Sequence, residues 1–157
     1  MTAATTFYGT AVQMATAGST TASLRLYSGG TDTLKLAFYT AATAVARTDL
    51  VYATTLVGGS VEVAGSLGYT IGGHTCGVAS GSQATNVVTL KAASNPGAVT
   101  ASGAGFSVRY FVLYDSTAST ATCNLLMFWD YGSTITLASG DSVTCTDVTT
   151  GYATITS

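Results

Sequence analysis

The chain has 157 residues, and its five basic and seven acidic side chains give a net charge of −2. Charged residues make up 8% of the sequence, against roughly a quarter in average soluble domains. The basic residues are scattered rather than clustered, so we expect no binding to nucleic acid. No apolar stretch is long enough for a membrane span, and we expect no membrane partner. The basic residues are Arg25, Lys35, Arg47, Lys91 and Arg109.

The composition favours strands in one domain. Thr, Val and Tyr are plentiful, whereas Glu62, Lys35 and Lys91 are the only Glu and Lys residues. A mean hydropathy of +0.42 supplies enough apolar surface for an ordered core. We therefore predict a single β-sandwich domain over residues 1–157, with residues 1–21 as a candidate N-terminal arm.

The N-terminal half contains several short candidate elements. Residues 3–21 fit neither period cleanly, so a short helix and an irregular strand both stay open. Residues 22–27 and 34–39 alternate apolar and polar side chains, and the Gly29-Gly30 turn between them predicts a hairpin. Residues 41–51 form either one short helical turn or a loop.

The middle of the chain is rich in glycine. Residues 60–63 and 75–79 read as short strands, separated by turns or bulges over residues 65–73. Residues 86–92 are a further strand candidate. The segment 94–105, which holds the only proline, is predicted to be a loop.

The C-terminal half is predicted to hold the central hairpin. Residues 106–114 are apolar on both faces over their last five positions, which predicts a strand covered on both sides. After a polar turn the chain returns over residues 123–131, with Leu125, Met127, Trp129 and Tyr131 predicted on one face and Leu126, Phe128 and Asp130 on the other.

Short elements complete the predicted sheet. Gly132-Ser133 is predicted to turn the chain into a strand at 134–137, and a turn at 139–141 leads to strands at 143–148 and 152–155. Short strands at regular spacing predict an all-β, antiparallel, jelly-roll-like β-sandwich, with one short N-terminal helix as an option.

The sequence contains no residue that we predict to be catalytic, cofactor-binding or metal-binding. His74 is the only histidine, and no nucleophile motif surrounds it. Most of the acids lie at predicted turns, where an Asp stabilises the backbone. Asp130 lies in an apolar strand, and we expect it to pair with Arg109 on the neighbouring strand. We therefore expect no enzymatic activity and no cofactor.

The three cysteines, Cys76, Cys123 and Cys145, are too widely spaced for a zinc or redox motif. Buried thiols are the favoured interpretation, and a Cys123–Cys145 disulfide is the alternative. The aromatic residues of the predicted hairpin are expected to fill the core and a subunit interface rather than to line a sugar site.

Several segments, taken in order, resemble a family of small bacteriophage virion proteins. These are residues 32–40, Gly-Tyr-Thr-Ile-Gly-Gly at 68–73, Val-Leu-Tyr-Asp-Ser-Thr at 112–117, Trp-Asp-Tyr-Gly at 129–132 and Gly-Asp at 140–141. Each segment alone is weak, and their order and spacing carry the resemblance. Proteins of that family are structural components of heads or tails, so the resemblance implies a structural role without catalytic residues.

From the resemblance and the composition we expect a capsid decoration or cement protein. It would bind the major capsid protein on the outer surface of the phage head, and it would associate as a dimer or trimer. Its expected location is the virion, after synthesis in the host cytoplasm. The alternative is a tail or baseplate component that binds host polysaccharide, for which a solvent-facing aromatic pair is the expected feature. A secreted hydrolase using His74 is a third hypothesis.

Overall fold

A computed structural model describes residues 4–7, 33–40, 61–84, 87–117, 123, 125–145 and 153–156. The regular structure in these ranges is entirely β, and every strand pair is antiparallel, which confirms the predicted class. The strands are β1 Ala4–Phe7, β2 Thr33–Tyr39, β3 His74–Ala84, β4 Val87–Ala92, β5 Val99–Thr100, β6 Phe106–Asp115, β7 Leu125–Leu137, β8 Ser142–Val143 and β9 Ala153–Thr156.

Seven strands form one sheet in the order β1-β7-β6-β2-β3-β4-β9, and β5 and β8 form a second, two-stranded sheet. The β6–β7 hairpin lies inside the large sheet, as predicted. Within the candidate N-terminal arm, Ala4–Phe7 is a strand that pairs with β7. The rest of that arm, the first strand of the predicted hairpin at 22–27 and the helix-or-loop segment at 41–51 lie outside the described residues.

The alternation in β2 sorts its side chains onto two faces of the sheet. Leu34, Leu36 and Phe38 belong to a large buried cluster on one face. Ala37 and Tyr39 belong to a smaller buried cluster on the other face. The period of two in the sequence predicted this division, because successive side chains of a strand point to opposite faces.

The sheet is buried on both faces along β6. Phe111 and Leu113 lie in the large cluster, whereas Tyr110, Val112 and Tyr114 lie in the small one. All five are at most 6% exposed, so the prediction of a strand covered on both sides is confirmed. Each large apolar side chain buried in this way contributes roughly 1.5–3 kcal/mol to the hydrophobic stabilisation.

The second sheet packs against the large cluster. Val99 of β5 and the neighbouring Ala101 are members of that cluster, and Val143 of β8 packs against it. The segment 94–105, predicted to be a loop, therefore contains a short strand, of which Val99 is buried and Thr100 is exposed. Strands of two sheets thus share one apolar cluster, and the jelly-roll-like sandwich stays a prediction.

Bulges change the phase of two strands. Between β2 and β3 the register advances by one extra residue in β3, at Gly77, whose φ is +76°. In β7 the extra residue is Leu126, opposite the step from Leu113 to Tyr114 in β6.

The second bulge makes one prediction wrong. Leu126 joins Met127 in the large cluster, and Leu125 joins Phe128 in the small one. The strict alternation predicted for residues 123–131 fails because one extra residue reverses the faces of all that follow it.

The predicted turn at Gly132-Ser133 is also wrong. β7 continues through it to Leu137, so residues 134–137 belong to the same strand, and residues 135–137 still pair with β6. The turn at 139–141 is confirmed, since the amide of Asp141 donates to the carbonyl of Ala138 (3.0 Å) and Gly140 has a φ of +94°.

Candidate interaction surface

The β6–β7 hairpin has an irregular, solvent-facing end. From Val108 to Tyr110 the register advances two residues in β6, while in β7 it advances five, from Asp130 to Ile135. Three additional residues of β7 are thereby accommodated in the strand, and residues 131–134 are all exposed. We call residues 106–109 and 130–137 the hairpin end.

The predicted ion pair between Arg109 and Asp130 lies where the register of β6 and β7 becomes irregular. Arg109 Nε and Nη2 donate to the two carboxylate oxygens of Asp130 at 2.7 and 2.9 Å, so the pair is bidentate. The Asp130 Oδ1 atom also accepts from the amide of Gly132 at 2.8 Å, and the Arg109 guanidinium lies 5.1 Å from the ring centroid of Tyr110. The hydrogen bond from Arg109 lowers the pKa of Asp130, which therefore stays ionised.

Two pairs of polar side chains in the hairpin end bond to each other. The Ser107 and Thr136 hydroxyls, on paired residues, lie 3.1 Å apart. The Arg109–Asp130 pair is about 30% exposed on each side, with side-chain values of 31% and 27%. Tyr131, at 37% exposure, adds one aromatic side chain. The surface is thus hydroxyl-rich, and its one ion pair is neutralised internally.

A buried carboxylate holds the glycine-rich segment against β2. Glu62, only 5% exposed, accepts from the hydroxyl of Tyr69 at 2.5 Å and from the amide of Gly72 at 2.8 Å. The Tyr69 hydroxyl in turn accepts from the amide of Phe38 at 3.1 Å, and the two rings stack 5.1 Å apart. Burial and the Glu62 charge raise the pKa of Tyr69 well above its usual range. The sequence pattern did not predict this network.

Segments that carry the family resemblance hold one another in place. The hydroxyl of Tyr114 donates to the carbonyl of Gly72 at 2.5 Å, and the amide of Ser116 donates to the carbonyl of Thr33 at 2.8 Å. A side chain at Gly73, whose φ is +72°, would collide with the carbonyl of Leu36. These motif residues therefore act in packing and backbone hydrogen bonding.

His74 lies at the start of β3 among aromatic rings. Its ring centroid is 5.6 Å from that of Tyr69 and 6.0 Å from that of Phe38. Its Nε2 atom is buried and has no hydrogen-bond partner. In the described part of the chain, neither an acid nor a nucleophile bonds to this ring, so the structure gives the hydrolase hypothesis no support.

The stability of the fold is expected to fall as the pH drops below about 6.5, the ordinary pKa of histidine. Burial lowers the pKa of His74, so below this pH the unfolded chain binds a proton that the folded chain resists. The loss begins at the unfolded pKa and levels off below the folded one. Because His74 is the only histidine, His74→Phe is expected to flatten the profile between about pH 5 and 7. Urea denaturation across that range measures it, and an unchanged slope in the variant would contradict it.

Two other acids stabilise turns, as predicted. Asp115 Oδ1 accepts from the amide of Thr117 at 2.8 Å, and Asp141 Oδ2 accepts from the amide of Ala138 at 2.9 Å. In the described ranges no group of three His, Cys, Asp or Glu side chains could hold a metal ion. Three acids lie outside those ranges: Asp32, Asp49 and Asp147.

The cysteines are thiols, and they lie on different faces of the large sheet. Cys76 belongs to the large cluster and Cys145 packs against it, whereas Cys123 belongs to the small cluster. The favoured prediction of buried thiols is confirmed for Cys76 and Cys123 but not for Cys145, which is only partly buried, and a Cys123–Cys145 disulfide does not form. Cys76 and Cys123 are buried and Cys145 is partly exposed.

The aromatic residues of the hairpin are mostly core residues. Tyr110, Tyr114 and Phe128 lie in the small cluster, and Trp129 packs against the large one. Among the described side chains, Tyr131 is the only exposed aromatic. This part of the chain thus lacks the exposed aromatic pair expected of a polysaccharide-binding surface.

Comparisons with known proteins return no relative. No protein-family model matches the chain, and neither a curated protein nor a solved structure matches it. No helix in the described ranges is long and apolar enough to cross a membrane.

Proposed function

We propose that the chain is a bacteriophage virion structural protein, a capsid decoration or cement protein that binds the outer head surface. The proposal rests on the ordered sequence resemblance and on one structural observation, the hairpin end. There Ser107 is hydrogen-bonded to Thr136 and Arg109 is paired with Asp130, while Tyr131 is exposed. The protein acts by adhesion, joining neighbouring capsid subunits and stabilising the head.

The physical support is the low cost of covering such a surface. A polar group that loses water on binding costs free energy unless it keeps a hydrogen bond. At the hairpin end, Ser107 bonds to Thr136 and Arg109 bonds to Asp130, so these groups keep their partners when another protein covers them. An exposed tyrosine surrounded by small hydroxyl side chains is also typical of protein-binding surfaces.

Repetition would strengthen such a contact. A dimer or trimer placed at a capsid symmetry axis presents several copies of the hairpin end at once, so that individually weak contacts add by avidity. The partner in this proposal is the major capsid protein, and the location is the outside of the virion.

The test is binding of the purified chain to expanded heads that lack it, measured by co-sedimentation. The wild-type chain is expected to bind at saturable stoichiometry. Tyr131→Ala and Thr134→Lys, both at exposed positions of the hairpin end, are expected to weaken binding roughly tenfold or more, as the loss of an interfacial anchor does.

The matched control is Ala98→Lys, which adds the same charge at an exposed position outside the hairpin end. It is expected to bind like wild type. Failure of the wild-type chain to bind such heads would refute the proposed function. Equal weakening by Ala98→Lys and Thr134→Lys would instead show that the hairpin end is not the contact.

A further inference from the structure

Along the hairpin end, the described strands leave the outer edge of β7 uncovered. β7 lies between β6 and β1 in the large sheet, and β1 pairs with β7 only as far as Asp130. In the ranges that the structure describes, no strand pairs with residues 131–137 on the side away from β6. The N–H and C=O groups on such an edge can bond to a further strand.

The last residues of β7 show which main-chain groups lie on this edge. The carbonyl oxygen of Leu137 points to the β6 side, because a Cβ atom at Gly105, just before β6, would collide with it. In an antiparallel pair, successive residues direct their N–H and C=O groups to opposite sides. The main-chain groups of Ile135 therefore point to β6, whereas those of Thr134 and Thr136 point to the outer edge.

Exposure gives the two faces of the same segment. Thr134 and Thr136 are exposed, whereas Ile135 between them is partly buried and packs against the large cluster. The hydroxyls of Thr136 and Ser107 lie 3.1 Å apart, which fits a residue pair without main-chain hydrogen bonds, where side chains approach most closely. The segment is thus a regular strand with two hydroxyls on one face and an apolar side chain on the other.

The sequence of this edge fits a second copy of itself. Thr134-Ile135-Thr136 reads the same in both directions, so two antiparallel copies place threonine opposite threonine and isoleucine opposite isoleucine. Residues 131–137 contain neither a charged residue nor a proline, which commonly protect edge strands from pairing. Two copies of this segment would therefore meet without repulsion between like charges.

We propose that two copies of the chain form a dimer by pairing their β7 edges antiparallel about a two-fold axis at Ile135. Thr134 of each copy exchanges main-chain hydrogen bonds with Thr136 of the other, and the two isoleucines meet on the side of the large cluster. The two large sheets thereby join into one continuous sheet. The interface is isologous, because each copy contributes the same segment.

Such a dimer is one form of the association that the proposed function invokes, and its role on the capsid rests on that function. A two-fold axis perpendicular to the sheet leaves the same face of both copies on the same side. The hydroxyls of Ser107, Thr134 and Thr136 in both copies therefore point in one direction. Two hairpin ends can then contact one capsid surface together, which strengthens the contact by avidity.

The oligomeric state of the purified full-length chain tests the pairing, by sedimentation velocity over a range of concentrations without capsids. The wild-type chain is expected to dimerise. Thr136→Pro is expected to raise the dissociation constant of the dimer roughly tenfold or more, because each copy loses an outward N–H group. The fold should be retained, since proline is tolerated on an edge strand where the N–H faces solvent, and circular dichroism checks this.

The matched control for this variant is Thr136→Ala, which removes the same hydroxyl but keeps the N–H group. It is expected to weaken the dimer much less than Thr136→Pro does, because the main-chain hydrogen bonds between the copies remain.

Cysteine cross-linking tests the register independently. Residues that face each other without main-chain hydrogen bonds have Cα atoms about 4.5 Å apart, within reach of a disulfide. Ile135→Cys is therefore expected to give a covalent dimer on mild oxidation, with the bond mapped by mass spectrometry to position 135 of both copies. Ser133→Cys is the control at an exposed position, because its copies would lie on the order of 10 Å or more apart.

A wild-type chain that stays monomeric at high micromolar concentration, or that forms a trimer, would overturn the proposal. A dimer that Thr136→Pro leaves intact or that Thr136→Ala weakens equally would also overturn it, as would one that links more readily through Ser133→Cys than through Ile135→Cys. None of these results depends on capsid binding, so the dimer and the proposed function can fail separately.

Discussion

Gly105→Ala is expected to destabilise the fold by about 3 kcal/mol or more, a large part of the 5–15 kcal/mol typical of a domain. Gly105 has a φ of +74°, and a Cβ atom there would collide with the carbonyl oxygen of Leu137. Since β6 begins at Phe106 and β7 ends at Leu137, the added methyl group would push the two strands apart where they meet. Urea denaturation of the variant measures the loss.

Substitutions at two other glycines distinguish the cost of the steric collision from the cost of the backbone conformation. Gly140 has a φ of +94° but open space around it, so Gly140→Ala should cost only the backbone strain, roughly 1–2 kcal/mol. Gly97 has open space and no such backbone conformation, and Gly97→Ala should change stability by less than about 0.5 kcal/mol. If Gly105→Ala cost no more than Gly140→Ala, the close contact with Leu137 would not constrain the fold.

Tyr69→Phe is expected to lower the free energy of unfolding by about 3 kcal/mol, because it leaves two buried groups with one partner fewer. The hydroxyl of Tyr69 donates to Glu62 and accepts from the amide of Phe38. The phenylalanine ring keeps the stacking on Phe38, so the change isolates the hydroxyl. Equilibrium urea unfolding followed by circular dichroism measures the effect.

The matched control is Tyr131→Phe, which removes the same hydroxyl from an exposed tyrosine. Its effect is expected to stay within about 0.5 kcal/mol. Similar small losses in both variants would mean that water replaces the Tyr69 hydroxyl and that the buried network contributes little.

The sequence predicted the parts of the fold where a simple period holds. β2 alternates without interruption in its side chains, and Leu36 and Tyr39 lie on the faces expected. The prediction failed in β7, where the extra residue Leu126 reverses the faces and the Gly132-Ser133 pair reads as a turn. A bulge is set by the partner strand, which local sequence does not reveal.

Part of the candidate surface, the Arg109–Asp130 pair, could be predicted from the sequence. An aspartate in an apolar strand needs a partner, and Arg109 was the basic residue expected across from it. The Glu62 network was missed because a glutamate between Val61 and Val63 looks like the outward position of an alternating strand. Its signal was the presence of a single Glu in the chain, close to the tyrosine and glycines of residues 68–73.

The exposed polar groups of the hairpin end could not be paired from sequence, because Ser107 and Thr136 meet only in the observed register. That register places the two hydroxyls within hydrogen-bonding distance of each other on a hydroxyl-rich part of the surface. Charged residues make up only 8% of the chain, and at the hairpin end the two charged side chains, Arg109 and Asp130, neutralise each other.

The measurement that tests the central proposal most directly is a cryo-electron microscopy map of intact virus particles that contain this chain. The proposal predicts its density on the outer surface of the head, at junctions between capsid subunits, with Tyr131 and the rest of the hairpin end facing the capsid. Density for the chain on the tail or baseplate, or a hairpin end turned toward solvent, would contradict it.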